Sequence, residues 1–410
     1  MKQDWEIKSL GDICEFGNGL WTGKKPPYQN VGVIRNTNFT KDGKLDDSNI
    51  VYLDVEQKQF AKRKLQFGDI ILEKSGGGPK QPVGRVIVFD KKKGDFSFSN
   101  FTSVIRIMND NAVDFNYVHR FLYFKYISGA TEKMQSHSTG IRNLKFDDYK
   151  AIEIPIPPYT EQKRIVALLD EAFEKIDKVK ANTEKNLANA KELFESYLQE
   201  VFENKSAGWE MKTLGEVYDV RDGTHDSPKY QEEGFPLITS KNLKKDLLNY
   251  DNVNYISRQD YVSINKRSKV DKGDILFAMI GTIGNPVVIQ DEPDFAIKNV
   301  ALFKVPKGQN SNFLKYYLDA KSTIDKMMVD AKGTTQKFVG LGYLRSFEIL
   351  IPPITEQEAI VQKLDGLSAE TKKLESIYQT KLFALEEFKK SILQKAFAGE
   401  LDTSKIRIEV

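Results

Sequence analysis

The stretch IPIPPYTEQKRIVALLD (residues 154–170) returns 195 positions later as ILIPPITEQEAIVQKLD (residues 349–365). In both copies a double proline ends a short apolar run, and the apolar spacing then changes from a period of 2 to one near 3.5. No proline occurs within 159–205 or within 354–400. Because proline is strongly disfavoured inside helices, its absence allows each of these ranges to form one long helix. We therefore predict two long helices, at 159–205 and at 354–400.

The segments that precede these helices are also two copies of one sequence. WEIKSLGDI (residues 5–13) recurs as WEMKTLGEV (residues 209–217), and FGDIILEKSGG (residues 67–77) corresponds to KGDILFAMIGT (residues 272–282). Short β-branched and aromatic runs alternate with Gly, Pro, Asn and Asp clusters, which is typical of strands joined by turns. We expect an α+β fold with two tandem mixed α/β domains, at 1–158 and 206–353, each followed by its helix, and a tail at 401–410.

Each predicted helix carries a narrow apolar stripe that must be buried against a partner. The economical partner is the other helix. If the two pair as an antiparallel coiled coil, the chain acquires pseudo-twofold symmetry, and a helix of this length spans roughly 60 Å. Such a spacer could separate two DNA-reading domains by one or more duplex turns of about 34 to 36 Å. The alternative is a helical spacer in a homo-oligomer or scaffold.

Composition narrows the class of protein without deciding its function. With 410 residues, 40% hydrophobic and 29% charged, the chain is typical of a globular protein, and no apolar run would span a membrane, so we expect a cytoplasmic location. The single cysteine, Cys14, and three scattered histidines, His119, His137 and His225, predict neither an intramolecular disulfide nor a metal site. A formal charge of +3 permits nucleic-acid binding but does not require it.

The order and duplication of these motifs carry a resemblance. Two divergent domains begin with W-E-x-K-x-L-G-[DE] and close with a Pro-Pro and T-E-Q sequence before a long helix, from Trp5 to about Gly399. In this respect the chain resembles the specificity subunits of type I restriction-modification systems. Since several motifs recur in the same order, the resemblance is more specific than any single motif.

The resemblance implies a subunit without an active site, in which each domain is a target recognition domain for one half of a bipartite, asymmetric site in double-stranded DNA. It implies that the long helices, the family's conserved regions, set the spacing of the half-sites and bind two methyltransferase subunits. Those subunits would bring S-adenosylmethionine, and restriction subunits acting as motor and nuclease would use ATP and Mg. No cofactor is expected on this chain.

Four sequences imitate catalytic motifs, and each lacks a necessary part. Phe16–Gly19 resembles a methyltransferase glycine loop but is absent from the second copy, and Ile156–Tyr159 lacks the polar residue that would hold a flipped base. Asp69, Glu73 and Lys74 imitate a nuclease cluster, but the lysine is one position too early and the second copy has alanine in place of Glu73. The glycines at 76–78 are followed by Pro79-Lys80 rather than by G-K-[ST]. We therefore expect no catalysis by this chain.

Base readout needs Arg, Lys, Asn and Gln, and phosphate contacts use Ser, Thr, Lys and backbone amides. Three polar loops differ between the copies while the framework around them matches. They are the loop after an early buried strand, the loop at 75–80 (which we align with 280–285), and a small-residue loop near the end of each domain. The predicted DNA-binding residues are Arg35, Asn36, Asn38, Ser75, Lys80, Ser138, Thr139, Arg142 and Asn143, with Lys24 and Lys25, in the first copy, and Ser240, Lys241, Asn242, Thr282, Thr335, Gln336 and Lys337, with His225 and Lys229, in the second.

Arg142 and Gln336 are the principal candidates for base contacts. For each single residue the alternative is a solvated loop position, and for His225 the alternative is a structural histidine. On the first long helix, Arg164, Lys175 and Lys178 lie off the apolar stripe and are predicted to contact methyltransferase subunits, with a solvated charged face as the alternative. The competing function for the whole chain is an interaction scaffold with two ligand-binding modules and no DNA.

Overall fold

A computed structural model describes residues 4–21, 25–78, 81–138, 141–204 and 208–406 of the chain. It divides into two compact units, of which unit 1 comprises Met1–Thr183 with Thr380–Val410, and unit 2 comprises Glu184–Gln379. Within the described ranges, no helix is long and apolar enough to cross a membrane.

Unit 1 begins with a mixed α+β domain. In chain order its elements are β1 (Glu6–Ser9), α1 (Leu10–Ile13), β2 (Cys14–Asn18), β3 (Tyr28–Ile34), β4 (Val51–Glu56), α2 (Gln57–Arg63), β5 (Ile70–Glu73), β6 (Ser75–Gly77), β7 (Val86–Val88), β8 (Phe96–Phe98), β9 (Thr102–Ile107), α3 (Phe115–Ile127), β10 (Gln135–Ser138), β11 (Ile141–Leu144), α4 (Phe146–Lys150), β12 (Glu153–Ile156) and α5 (Tyr159–Glu203). Short 3₁₀ turns lie at Asn36–Asn38 and Ala130–Met134.

The centre of this domain is β5, whose apolar run is buried on both faces. It lies inside the antiparallel sheet β2-β9-β5-β7, which neighbours a second sheet of order β4-β3-β8. Successive strand residues point to opposite faces, so Ile70 and Leu72 pack in the core beside α3, while Ile71 packs in the core formed with the second sheet. Each such buried aliphatic side chain contributes about 1.5 to 3 kcal/mol.

Unit 2 repeats this arrangement. In chain order its elements are β13 (Glu210–Thr213), α6 (Leu214–Val217), β14 (Asp219–Asp222), β15 (Phe235–Ile238), β16 (Leu243–Lys244), β17 (Leu247–Leu248), β18 (Asn254–Ile256), α7 (Arg258–Ser268), β19 (Ile275–Ile280), β20 (Thr282–Val288), β21 (Ala296–Ile297), β22 (Val300–Lys304), α8 (Ser311–Asp319), α9 (Lys321–Asp330), α10 (Leu341–Ser346), β23 (Glu348–Ile351) and α11 (Ile354–Ala398).

The two larger sheets of unit 2 match two sheets of unit 1 strand by strand, whereas, within the described residues, β10-β11-β6 of unit 1 and β16-β17 of unit 2 have no matching sheet in the other unit. The order β14-β22-β19-β20 corresponds to β2-β9-β5-β7, and β18-β15-β21 corresponds to β4-β3-β8. The same alternation divides β19, since Ile275 and Phe277 face one core and Leu276 and Ala278 face the other. The predicted fold of two tandem α+β domains, each followed by a long helix, is confirmed.

A buried glutamine explains why the T-E-Q motif marks the start of each long helix. The side chain of Gln162 accepts a hydrogen bond from the amide of Asp114 (2.9 Å), at the start of α3, and donates to the carbonyl of Pro157 (2.9 Å). Gln357 forms the same pair of bonds in unit 2, with the amide of Asn310 (3.0 Å) and the carbonyl of Pro352 (2.9 Å). The glutamine thereby fixes the long helix to the globular part that precedes it.

Inside unit 1, the end of α11 packs antiparallel to the first part of α5. Lys180 lies 2.5 Å from Glu386, and Thr403, beyond α11, donates to Glu161 at 2.8 Å. Residues further along α5 therefore contact residues earlier in the C-terminal segment, which is the order expected for antiparallel packing. The full-length antiparallel coiled coil with pseudo-twofold symmetry stays a prediction.

Phe397 anchors the end of α11 in the core of unit 1. Its ring lies 5.4 Å from that of Tyr117, 5.1 Å from that of Phe121 and 5.9 Å from that of Phe124. Aromatic pairs of this kind contribute about 0.5 to 1.5 kcal/mol each beyond burial. The part of α11 from Thr380 onward is thus an integral part of unit 1.

Candidate nucleic-acid interface

Two of the predicted loops of unit 1 form one small sheet. Strands β10 and β11 make a hairpin, and β6 pairs antiparallel with β11. The hydroxyl of Ser75 lies 2.5 Å from the amide oxygen of Asn143, and Arg142 pairs with Gly77 through the backbone. Ser75, Arg142 and Asn143 are therefore brought together by strand pairing.

The third loop joins this sheet through Asn36. Its side-chain amide donates to Glu73 (3.4 Å), and a Cβ at Gly76 would lie 3.1 Å from the same nitrogen. Gly76 also has a positive φ of 96°, a conformation that glycine adopts without strain. Glycine at this position thus allows the 35–38 loop to approach the small sheet.

A buried ion pair supports this junction. Both oxygens of Glu73 accept from the guanidinium of Arg85, at 2.7 and 2.9 Å, and the glutamate side chain is 1% exposed. Arg85 also donates to the carbonyls of Asn36 (3.1 Å) and Phe39 (3.0 Å). This arginine therefore holds the 35–38 loop against β5.

Asp69 and Glu73, the carboxylates that imitate a nuclease cluster, both form buried ion pairs with arginine. Asp69 is 2% exposed and binds Arg106 at 2.6 Å, and Glu73 binds Arg85. Within the ranges that the structure describes, no group of three or more His, Cys, Asp or Glu side chains could hold a metal ion. The arrangement favours a structural role for both carboxylates.

Asn38 and Asn242 have a structural role and require a correction to the predicted contacts. Asn38 is fully buried; its oxygen accepts the amide of Arg35 (3.0 Å) and its nitrogen donates to Asp46 (3.1 Å). Asn242 likewise accepts the amide of Thr239 (2.9 Å) and donates to Asn249 (3.0 Å). Because both amide atoms are occupied inside the fold, we remove these two residues from the proposed DNA contacts.

Other predicted residues of unit 1 have separate environments. Arg35 is half-buried and donates to the carbonyl of Asn49 (3.4 Å), while Lys25 is exposed. The structure describes Ser138 as the end of β10 but not its side chain. Lys24, Lys80 and Thr139 lie outside the described residues.

In unit 2 the turn between β19 and β20 meets the loop at 332–338. The amide of Gly281 donates to the carbonyl of Lys337 (2.8 Å), and the amide of Val339 donates to the carbonyl of Met279 (3.0 Å). A Cβ at Gly281 would lie 2.8 Å from the side-chain nitrogen of Gln336. The structure thereby brings together the exposed residues Thr282, Gln336 and Lys337, with Thr335 exposed in the same loop.

The two earlier loops of unit 2 meet at Asn299. The ring nitrogens of His225 lie 2.8 Å from Asn299 and 2.9 Å from Asp222, and Ser240 donates to the backbone carbonyl of Asn299 (3.3 Å). Arg267 also binds Asp222. Both nitrogens of His225 are thus engaged, which favours its structural interpretation, although its side chain is 58% exposed.

The remaining cationic candidates of unit 2, Lys229 and Lys241, are exposed. On α5, Lys175 and Lys178 form i,i+4 ion pairs with glutamates at 2.6 Å, and Arg164 lies 3.8 Å from Glu161. Exposed pairs of this kind contribute about 0.3 to 0.5 kcal/mol, so the lysines remain available to a partner. The assignment of all these residues to DNA or to partner subunits stays a prediction.

Strand register corrects one of the sequence correspondences. We aligned Ser75 to Lys80 with Ile280 to Asn285, but Val88 pairs with Ile70 as Val288 pairs with Ile275. Asn285 therefore corresponds to Arg85, and the connection in unit 1 is five residues longer. Asn285 takes over the role of Arg85, since its side chain donates to the carbonyl of Leu243 (3.2 Å), the counterpart of Phe39.

Phe101 is a surface residue of this site that the sequence analysis missed. Its ring is 44% exposed and would contact a Cβ at Gly76 at 3.3 Å, and its carbonyl accepts the amides of Lys74 (3.0 Å) and Ser75 (3.2 Å). Its only signal in the sequence was an aromatic residue between Asn100 and Thr102 with no counterpart in the second copy.

Comparison with known proteins places this geometry in a family. A model described as the type I restriction modification DNA specificity domain matches residues 2–188 and 206–380. The chain is 24% identical over 431 residues to the type I restriction enzyme EcoKI specificity subunit of Escherichia coli, covering 98% of this chain and 90% of that protein. It is 24% identical over 443 residues to the MjaVIII specificity subunit of Methanocaldococcus jannaschii, covering 99% of this chain and 94% of that one.

Solved structures show the same fold. A chain solved in work on complex assembly and conformational transition of the type I R-M system superposes with a TM-score of 0.78 at 20% identity, covering 98% of this chain and 99% of that one. The HsdS subunit of Thermoanaerobacter tengcongensis superposes with a TM-score of 0.60 at 19% identity, covering 98% of both chains. The resemblance identified from the sequence motifs is confirmed: this chain belongs to the type I restriction-modification DNA specificity family, with one specificity domain matched in each half.

Proposed function

We propose that this protein is the non-catalytic DNA-reading subunit of a type I restriction-modification enzyme, and that each unit reads one half of a bipartite, asymmetric site in double-stranded DNA. One observation carries the proposal. The two units repeat the same central sheets, β2-β9-β5-β7 with β4-β3-β8 and β14-β22-β19-β20 with β18-β15-β21, whereas the polar residues on their converging loops differ. A single scaffold used twice with different contact residues suits the reading of two different half-sites.

The chemistry of the two contact surfaces supports different base preferences. Unit 1 presents Arg142 beside Asn143 and Asn36, and arginine makes its commonest specific contact with guanine. Unit 2 presents Gln336 beside Thr282 and Lys337, and glutamine pairs in bidentate fashion with adenine.

Phosphate contacts would position the protein on the duplex. The exposed Lys25, Lys229 and Lys241 suit this role. A net charge of +3 is small for a protein that neutralises many phosphates. We therefore propose that partner subunits supply part of the phosphate binding.

The partners in this proposal are two methyltransferase subunits and, through them, the restriction subunits, all acting on DNA in the cytoplasm. S-adenosylmethionine would bind to the methyltransferase subunits, and ATP and Mg to the restriction subunits, so that this chain needs no cofactor of its own. Arg164, Lys175 and Lys178 on α5 are the proposed contacts to a methyltransferase subunit. The use of Asp69 and Glu73 in buried ion pairs supports a subunit without catalysis.

The experiment that tests the function compares the methylated bases of a host with and without this gene, by single-molecule sequencing, while the partner subunits are expressed. We expect deletion to remove methylation from one bipartite sequence with a fixed spacer, and a plasmid copy of the gene to restore it. An unchanged set of methylated bases would contradict the proposal.

A further inference from the structure

We propose that Asp246 is a positioning residue for DNA recognition, because it fixes the hairpin that follows the recognition loop at 239–242 to the long helix α11. We call Asp246, Lys315 and Lys372 the unit 2 clasp. This inference rests on the proposed function, since it assigns to the clasp the placement of a DNA-contacting loop.

The clasp joins three elements of unit 2. Asp246 lies in the turn between β16 and β17, and its two oxygens bind Lys315 of α8 at 2.5 Å and Lys372 of α11 at 2.8 Å. Burial acts to raise the pKa of Asp246, but the hydrogen bonds from both lysines outweigh it and lower that pKa to about 2. The carboxylate is therefore charged and paired at neutral pH.

The hairpin packs on the core of unit 2 through Leu243 and Leu248, whereas its turn meets the helices α8 and α11 through polar groups. The three clasp residues line a polar crevice of about 300 Å³ together with Tyr316 and Asp365. The ion pairs of Asp246 bridge the turn to α8 and α11 beside this crevice, and they therefore contribute to its distance from the long helix.

The hairpin is rigidly continuous with the recognition loop. The amide of Asn249, just after β17, donates to the carbonyl of Asn242 (2.8 Å), and the side chain of Asn242 returns a bond to the carbonyl of Asn249 (3.0 Å). Asn285 holds Leu243, the first residue of β16 (3.2 Å). A displacement at Asp246 would therefore move Ser240 and Lys241, which precede this brace.

Unit 1 contains the same device with different charges. Asp42 is the counterpart of Asp246 at the 204-residue offset of Trp5 and Trp209, and Asp177 of α5 is the counterpart of Lys372 at the 195-residue offset of the helix starts. Since two aspartates would repel each other, Lys44 bridges them, at 3.0 Å from Asp42 and 3.5 Å from Asp177. That the turn is fixed to a long helix in both units, by different residues, indicates a shared requirement.

The test uses the assembled enzyme and the duplex whose methylation identifies the recognised site. Lys372→Glu reverses the charge facing Asp246 at an exposed helix position, and Lys372→Arg keeps it. The matched control is Lys373→Glu, the same charge change at the next exposed position of α11. Methyl transfer from labelled S-adenosylmethionine would be measured on duplexes in which each base pair of the site is varied in turn.

For Lys372→Glu we expect a roughly tenfold rise in the KM for DNA with an unchanged kcat, and relaxed discrimination in one half-site alone. That half-site should be the one that responds to Lys241→Ala. Lys372→Arg should behave as the wild type, and so should Lys373→Glu. Asp246→Asn should reproduce the Lys372→Glu result. Because it places no second negative charge beside the turn, it separates loss of the ion pairs from a folding defect caused by repulsion in Lys372→Glu.

Three results would overturn the inference: equal effects of Lys372→Glu and Lys373→Glu, equal loss of discrimination in both half-sites, or loss of copurification with the methyltransferase subunits for Lys372→Glu alone. The proposed function fails separately. It fails if the wild-type assembly methylates DNA without sequence preference. If the wild type is sequence-specific and Lys372→Glu behaves as the wild type, only the proposed role of the clasp is contradicted.

Discussion

The two units share one ion pair at the start of their central strand, but they differ in the side chains at the end of that strand. In unit 1 the buried Asp69 binds Arg106 of the adjacent strand (2.6 Å), and in unit 2 the equivalent Asp274 binds Lys304 (2.6 Å). By contrast, Glu73 and Arg85 of unit 1 are replaced by Ala278 and Asn285. Framework ion pairs are thus retained, and the chemistry changes where the strand reaches the proposed DNA surface.

The largest expected effect is on the buried pair of Glu73 and Arg85, whose positions hold Ala278 and Asn285 in unit 2. Arg85→Ala leaves Glu73 buried without a cation, which should lower the free energy of unfolding of unit 1 by about 3 to 5 kcal/mol. Asn285→Ala in unit 2 removes one hydrogen bond and should cost about 1 kcal/mol. Hydrogen exchange in increasing urea, followed on peptides from each unit, measures both values.

The control for this prediction is the double variant Glu73→Ala with Arg85→Asn, which copies unit 2 into unit 1. It should recover much of the loss, because no unpaired charge stays buried. If Arg85→Ala costs no more than Asn285→Ala, the two units do not differ in the way that the structure indicates.

The second prediction concerns a feature that should be equal in both units. Gln162→Ala and Gln357→Ala each leave a half-buried backbone amide and a buried carbonyl without their side-chain partner, so each should cost about 2 kcal/mol. Gln362→Ala, at an exposed position of α11, should change little. Urea denaturation of the three variants gives the comparison, and costs for Gln162 and Gln357 that differ by more than about 1 kcal/mol would argue against an equivalent role.

A smaller effect is expected for the contact residues themselves. Arg142→Ala and Gln336→Ala should each reduce discrimination at one base pair by about 1.4 kcal/mol, or roughly tenfold, and each should affect a different half-site. Lys133→Ala, at an exposed position before β10, serves as the control. If both variants of the assembled enzyme keep the wild-type specificity and affinity in methyl-transfer assays, the assignment of these loops to DNA is wrong.

The repeat made the fold predictable from the sequence, because apolar residues at matched offsets require the same buried faces. The strand Ile70 to Leu72 and its counterpart Ile275 to Phe277 illustrate this, since their runs are buried on both faces as such runs predict. Polar loop residues were harder to assign. Asn38 is a residue type that often contacts bases, yet its side-chain amide forms hydrogen bonds with backbone groups of its own loop. Those bonds depend on local turn geometry rather than on residue type.

Long-range pairs were beyond the sequence for a related reason. The pairing of Arg85 with Glu73 depends on the register of β7 against β5, which a five-residue difference in loop length obscures in the alignment. The position of Lys372 opposite Asp246 depends on how a helix packs beside a turn 126 residues earlier. Both become visible only when the elements are placed in space.

The smallest effect should separate the units by pH. His119 of α3 is buried against the carbonyl of Val86 (3.4 Å), and burial, together with the nearby Arg120, lowers its pKa to about 3. The equivalent position in unit 2 is Lys315, and lysines do not change charge between pH 7 and pH 6.

The folded state favours the neutral form of His119. Below the ordinary histidine pKa of about 6.5, the unfolded chain therefore binds more protons than the folded chain does. The stability of unit 1 is therefore complete above that pH and declines as the pH falls toward 3, by about 0.7 kcal/mol between pH 7 and pH 6. Hydrogen exchange at the two pH values, corrected for the intrinsic exchange rate, measures the change in each unit. His119→Gln should remove this component from unit 1 whatever its effect on overall stability, and an unaltered pH dependence in that variant would show that another group is responsible. Since Lys315 belongs to the clasp and His119 lies beneath the matching turn of unit 1, a difference confined to unit 1 would show that the two turns are supported by side chains of different chemistry.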